Sequence, residues 1–209
     1  MAHRLAVSSF VRRLPPCLNG RQSRTVATAG AVRQRRVCVV QGASRGLGLE
    51  LARSLVARDD FVFATCRNPA QAEDLQALKA SHPDTVAVLQ LDVTEPETIV
   101  SAVEELSRHP SACQAGGRPA VDLLLNTAGV LQDTSRGLVP ERGLMRVDAT
   151  AVARSFAVNA LGPLLVAREL APLLRRAAAA RERRGGGGRA GGRVHRVRGR
   201  GAQRATARG

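Results

Sequence analysis

The chain has 209 residues, 44% hydrophobic and 23% charged and without Trp or Tyr, a composition that suits one globular domain with extensions. The net charge of +15 belongs to the two ends: residues 1–36 carry eight Arg and no acid, residues 175–209 carry twelve Arg against Glu182, and residues 37–174 hold eleven Arg and Lys79 against sixteen acids. This distribution largely excludes a basic folded face for nucleic acid, and no apolar run approaches the ~18–20 residues a membrane helix needs.

Residues 1–36 are Arg-rich, acid-free and dotted with Ser and Thr, and Leu5, Phe10, Val11 and Leu14 can share one helical side. That is the composition of an organelle transit peptide; a secretory signal needs a longer apolar stretch. The arginines favour a mitochondrial address over a plastid one. A disordered basic tail on a cytoplasmic protein is the alternative.

Val37–Val40 reads as a short strand covered on both faces. A helix follows, with Leu47, Leu51 and Leu55 four apart beside Ala52 and Val56. Phe61–Ala64 is the second strand, Pro69 to Ala80 a helix stopped by Ser81-His82-Pro83, and Val86–Leu91 the third strand. Thr94-Glu95-Pro96-Glu97 has capping-box spacing and a first-turn Pro, so a helix runs from there to about His109. Residues 110–119 are a loop, Val121–Leu125 the fourth strand, and Ala151 to Arg176 a long helix with a bend expected at Gly162-Pro163. Strands alternating with helices predict an α/β fold, a Rossmann-type doubly wound parallel sheet. After Leu174 the chain is mostly Arg, Gly and Ala without apolar periodicity, so disorder is expected over 184–209, leaving 37–183 as the folded domain. The sheet is expected to stop after about its fourth strand and the long helix. Cys38 and Cys66 fall in strand-like runs, and Cys17, Cys38, Cys66 and Cys113 show no CxxC spacing. Reduced thiols are expected, with no zinc site or other metal and no disulfide framework.

The turn Gly42-Ala43-Ser44-Arg45-Gly46-Leu47-Gly48 leaves a buried strand and opens a helix. There Gly42 permits a sharp turn, Gly46 lets backbone approach a pyrophosphate, and Gly48 lets the helix pack on the sheet, with free N–H groups at the helix start facing the phosphates. An NAD site places an acid about 20 residues further on, at the end of the second strand. Here that place reads Thr65-Cys66-Arg67-Asn68, and Asp59 and Asp60 lie at the strand's other end. Arg45 and Arg67 suit a 2′-phosphate instead, so the cofactor is read as NADP(H).

The GxxxGxG spacing resembles the short-chain dehydrogenase/reductase family, together with Leu91-Asp92-Val93, Asn126-Thr127-Ala128-Gly129 and Val158-Asn159-Ala160-Leu161-Gly162. The stretches 64–69 and 159–174 look most like the C-signal and sniffer-like carbonyl reductase branch. Gln41 stands where the family often has Thr, and Thr127 where it often has Asn; both are polar and able to bond across the turn. The resemblance covers about residues 37–176. It implies an oxidoreductase that reduces a small carbonyl to an alcohol with NADP(H), in a family whose members are often homo-oligomers, with the third, second, first and fourth strands side by side. It also implies cofactor contacts from Gly42, Ser44, Arg45, Gly46, Leu47, Gly48, Arg67, Asp92, Val93, Asn126, Ala128 and Gly129, with Asp92 and Val93 at the adenine. Asn159 matches the family's catalytic Asn.

The rest of the family's catalytic set, a Ser and a YxxxK pair, has no match: the chain has no Tyr, and its one Lys is Lys79. His195 stands alone in the Arg/Gly tail and is read as solvated. The shift in composition near residues 184–190 is what a changed reading frame in GC-rich DNA yields. Three readings compete. One is a carbonyl reductase family member cut or frame-shifted here. Another is an inactive NADP(H)- or subunit-binding protein. The weakest is an RNA-binding Arg/Gly tail on a Rossmann scaffold, which lacks the aromatics for base stacking.

Overall fold

A computed structural model describes residues 35–114, 117–131, 143, 145 and 147–185. All of the expected transit peptide but Arg35 and Arg36, and almost all of the expected tail, lie outside these residues. Four strands form a parallel sheet: β1 (Val37–Gln41), β2 (Phe61–Cys66), β3 (Val86–Gln90) and, after a short ribbon of β4 (Cys113–Gln114) and β5 (Arg118–Pro119), β6 (Leu123–Asn126). Their order is β3-β2-β1-β6, and Val39 is level with Phe63 on one side and Leu124 on the other. This is the predicted strand order.

Every residue of β1 and β2 is buried, as an apolar run between two helical layers requires. One layer is α1 (Gly46–Ala57) with α2 (Glu73–Ser81), whose Leu49, Ala52, Leu55 and Leu75 meet Cys38, Val40, Val62 and Ala64. The other is α3 (Pro96–Arg108) with α5 (Gly162–Gly185), whose Ile99, Leu106, Val166, Leu170 and Leu173 meet Val37, Val39, Phe61 and Phe63. Alternate strand residues thus feed opposite cores, the period-two geometry of a strand.

Several expectations need correction. The α1 stripe is rotated: Leu49, Ala52, Leu55 and Val56 are buried, while Leu47 is 71% exposed, lying across the helix from Ala52. The capping box at Thr94 does not form. Glu95 is the N-cap without a side-chain bond, and Thr94 donates instead from N and Oγ1 to Asp92 Oδ1 at 2.8 and 2.7 Å. Asp92, two residues back, thus takes the Thr94 N–H that Glu97 would accept in the box. The 110–119 loop contains a 3-10 turn (Pro110–Ala112) and the β4–β5 ribbon. Cys38 and Cys66 are buried and free as expected, but Cys113 is disulfide-bonded.

The long helix starts earlier and ends later than predicted, as α4 (Ala149–Phe156), a π turn (Ala157–Leu161) and α5. The extra turns follow from helix-favouring Ala and Arg, from burial of Ala177, and from an Arg181–Asp122 ion pair at 2.9 Å. Residues 184 and 185, assigned to a disordered tail, are still helical. By length and composition the stretch Ala149–Arg183 is apolar enough to cross a membrane, with mean hydropathy 1.4 in its best window. This corrects the expectation that no apolar run approaches that length; Arg and Glu interrupt the stretch, so its apolar character shows only as an average. Its Val166, Leu170 and Leu173 face is buried on the sheet.

The acids before β2 stay at the sheet's N-terminal edge. Arg36 bonds the wholly buried Asp60 through Nε and Nη2, and Arg35 bonds Asp59. Asp122 accepts from the Val37 N–H at 2.9 Å.

Candidate functional site

Ligand crevices in such sheets open at the C-terminal strand ends, beside the strand that starts each half of the fold. Here that place is the gap between the ends of β1 and β6. The turn 42–48 rises from β1, and its first amides are tied down: Gly42 and Ala43 N–H both donate to the Thr65 carbonyl, at 3.0 and 2.9 Å. Gly42 has φ 87°, and a Cβ on it would stand 2.5 Å from Ala128 N, so the turn presses against the chain leaving β6. Gly46 has φ 58° with nothing within 4 Å of a Cβ position, which leaves its face open. Gly48 packs as predicted, its Cβ position 2.2 Å from the Gly42 carbonyl oxygen.

Arg45 is the N-cap of α1, extended, with no side-chain cap and no acid in the first turn. The first N–H groups of α1 are therefore not used by side chains. They and the helix dipole present a positive end, a fit for phosphate. Arg45 and Arg67 are exposed, Ser44 is half-buried, and neither arginine is in an ion pair among the described residues.

The segment after β3 carries Asp92, half-buried, with Oδ1 committed to Thr94. The Thr98 hydroxyl reaches back, accepting from Asp92 N–H at 3.0 Å and lying 2.9 Å from the Asp92 carbonyl oxygen. Val93 is buried against Gly162. At the end of β6, the Asn126 amide is exposed and donates to the Pro163 carbonyl at 3.4 Å, bracing the start of α5. Asn159, in the π turn, spends both amide atoms on Val130: Oδ1 accepts its N–H and Nδ2 donates to its carbonyl, each at 2.7 Å. Gly129 lies beneath, its Cβ position 3.6 Å from Asn159 Oδ1.

The sequence-derived residues thus gather on one edge: 42–48 and Arg67 towards β2, Asp92 and Val93 after β3, Asn126 at the end of β6 with Ala128 and Gly129 after it, and Asn159 above. Lys79 does not join them; it is exposed in the last turn of α2, which runs back to the opposite edge. His195 lies outside the described residues. Gln41, expected to bond across the turn, does so: it ends a buried strand, and its Oε1 accepts from Ala128 N–H at 3.2 Å. Among the described residues no group of three metal-ligating side chains occurs.

Residues 36–186 match the short chain dehydrogenase family. The chain belongs to this family. Among relatives of this short chain dehydrogenase, the uncharacterized oxidoreductase YusZ of Bacillus subtilis is 32% identical over 144 residues, 68% of this chain and 45% of its own. The NADPH-bound carbonyl reductase from chicken fatty liver superposes with a TM-score of 0.60 at 27% identity, over 71% of this chain and 51% of that one. The Caenorhabditis elegans protein described as the carbonyl reductase Sniffer gives 0.59 at 27% identity, over 71% and 57%. The expected family and its carbonyl reductase and Sniffer-like neighbours are therefore found. The chain spans about half the length of the curated relatives it matches.

Proposed function

We propose that this chain is the dinucleotide-binding part of an NADP(H)-dependent oxidoreductase that reduces a small carbonyl compound to an alcohol, and that as given it binds the cofactor without turnover. The observation carrying the cofactor choice is the pair Arg45 and Arg67, exposed and unpaired among the described residues, with no acid in the stretch 65–68 that ends β2. Asp59 and Asp60 are held by Arg35 and Arg36 at the other edge.

In this reading the α1 N-terminus and the open face of Gly46 hold the phosphates, Arg45 and Arg67 grip the 2′-phosphate, and Asp92 faces the adenine. A bound nicotinamide supplies the hydride. The carbonyl oxygen must also gain a proton, and the chain has no Tyr to give it. Asn159 is the family's catalytic position, but its amide is committed to Val130 and acts here by fixing the exit of β6. An aldehyde and ketone panel is expected to consume no NADPH above a blank; a carbonyl-dependent rate lost in Asn159→Ala overturns that part. Residues 1–36 are proposed as a mitochondrial address, checked by where a fluorescent fusion of the full chain accumulates with and without them.

The cofactor choice is tested by calorimetry with 2′,5′-ADP and 5′-AMP. A charge-assisted contact is worth roughly 1.5–3 kcal/mol, on the order of tenfold or more in favour of 2′,5′-ADP. Arg67→Ala is expected to shrink that preference, and equal affinity for the two nucleotides overturns the NADP(H) reading.

A further inference from the structure

Helix α4, the π turn and α5 form one rod, whose sheet side is settled by Ala151, Val166, Leu170, Leu173 and Ala177, all buried. The other side is apolar too. Val152, Phe156, Leu161 and Leu164 are exposed, Phe156 at 64% and Leu164 at 66%. On a regular α-helix Val152 and Leu164, twelve residues apart, would point about 120° from one another. The π turn lies between them and absorbs one residue, roughly a 100° step, which brings them within about 20°. Val152, Phe156, Ala160 and Leu164 thus make one continuous stripe turned away from the sheet. Arg168 and Arg175, exposed four and eleven residues past Leu164, extend the same side.

Charge decides what covers the stripe. Residues 149–185 carry seven Arg against Glu169 and Glu182, and Glu169 is buried and accepts from Arg168 Nε at 2.8 Å. Beyond Gly185 the sequence adds seven Arg and no acid. A second copy of the chain would bring the same arginines, and the stripe from Val152 to Arg175 holds no carboxylate to meet them. An anionic lipid surface supplies the missing charge and takes apolar side chains below its headgroups. The rod would lie on such a surface rather than cross it, because its Val166, Leu170 and Leu173 side is committed to the sheet. We propose that the α4–α5 rod docks along an anionic membrane surface, with Val152, Phe156 and Leu164 in the headgroup region and Arg168, Arg175 and the arginines after Gly185 on lipid phosphates. An apolar face and a polybasic segment are the two signals that together hold a protein at a membrane.

The probe is the full chain with vesicles of phosphatidylcholine and phosphatidylglycerol in a two-to-one ratio, and with vesicles of phosphatidylcholine alone. Flotation should carry the chain with the anionic vesicles and not with the neutral ones, and added salt should weaken the attachment. Phe156→Ser combined with Leu164→Ser changes two exposed positions. It should lower the affinity about tenfold or more and leave the circular dichroism spectrum as it was. Arg175→Ala should lower the affinity about fivefold. The chain has no Trp, so Phe156→Trp is a single-site reporter, and its emission should shift to the blue when anionic vesicles are added. Unchanged emission, or undiminished binding by the double Ser variant, overturns the proposal and leaves the Arg/Gly tail as the whole of the attachment. A soluble dimer that the double Ser variant breaks, in a chain that does not float, overturns it as well and gives the stripe to a second copy. If the double Ser variant does not fold, the Trp reporter carries the test.

Discussion

Gly162 lies so close to Val93 that a Cβ on it would stand 2.6 Å from the Val93 Cβ, with the Ala157 carbonyl oxygen at 3.1 Å on its other side. The contact joins the first residue of α5 to the segment carrying Asp92, and so holds the π turn with Asn159 over the crevice.

Gly162→Ala is therefore expected to destabilise the fold by about 1–3 kcal/mol, the usual cost of inserting a methyl where neighbours cannot give way. Urea unfolding measures it. A midpoint equal to the parent's would mean that α5 shifts freely over Val93.

The strands were legible because β1 and β2 are continuous apolar runs and each helix between strands has an apolar stripe; their order was implied by the resemblance to the family. What the sequence hid has physical reasons. The stripe of α1 admits two registers, because leucines at 47, 49, 51 and 55 satisfy helical spacing on more than one face, and only packing chooses. The β4–β5 ribbon is two residues per strand, too short for any period. A bend was expected at Gly162-Pro163, but the helix widens into a π turn one step earlier, and Gly162 serves the approach to Val93 instead. At the site, the glycines and strand-end motifs were legible as types in a spacing. The partners of Gln41, Asn126 and Asn159 were not, since main-chain atoms accept or donate whatever the side chain and leave no mark in the sequence.

His109 packs against Phe61 and Phe63 with ring centroids 5.2 Å from each, edge-on to Phe63, and its Nδ1 accepts from the Ser111 N–H at 3.2 Å. Burial holds its pKa below the ordinary 6.5, with Glu105 opposing in part. The folded state keeps the ring neutral, while the unfolded chain takes up the proton more readily. Its contribution to stability is therefore complete above pH 6.5 and is lost as pH falls from there through the lower folded value. Urea midpoints for the parent should drop from neutral to mildly acidic pH, and His109→Phe should drop less. Parallel pH profiles would show that the ring does not titrate differently on unfolding.

Cys38 is fully buried in the middle of the sheet, and desolvation, with Asp60 adding to it, pushes its thiol up to about 12. Burial raises Cys66 as well. Since the thiolate is the reactive form, both should resist thiol reagents at neutral pH in the native chain and react on unfolding. Mass spectrometry of the labelled peptides reports each site. Labelling of Cys38 at the rate of a free thiol would mean that β1 opens far more readily than a strand with neighbours on both sides should.

Gly46 and Gly48 are two residues apart in the turn, yet they should fail in different ways. Gly48 has no room: an added Cβ would meet the Gly42 carbonyl oxygen at 2.2 Å and Thr127 Oγ1 at 2.6 Å, so Gly48→Ala must push α1 off the sheet and lower the unfolding midpoint. Gly46 has nothing within 4 Å of its Cβ position, so bulk there meets no protein atom. Its φ of 58° lies in the left-handed region, which costs an L-residue roughly 1–2 kcal/mol and a β-branched one more. Gly46→Val should therefore leave a folded, modestly weakened protein. If phosphates approach the backbone over this open face, the same substitution fills their space, and affinity for both 2′,5′-ADP and 5′-AMP should fall together, because both carry the 5′-phosphate. Arg67→Ala, by contrast, should affect 2′,5′-ADP alone. Calorimetry on the two variants separates the phosphate cradle from the 2′-phosphate clamp. Parent-like binding by folded Gly46→Val would place the phosphates elsewhere and remove the turn from the site.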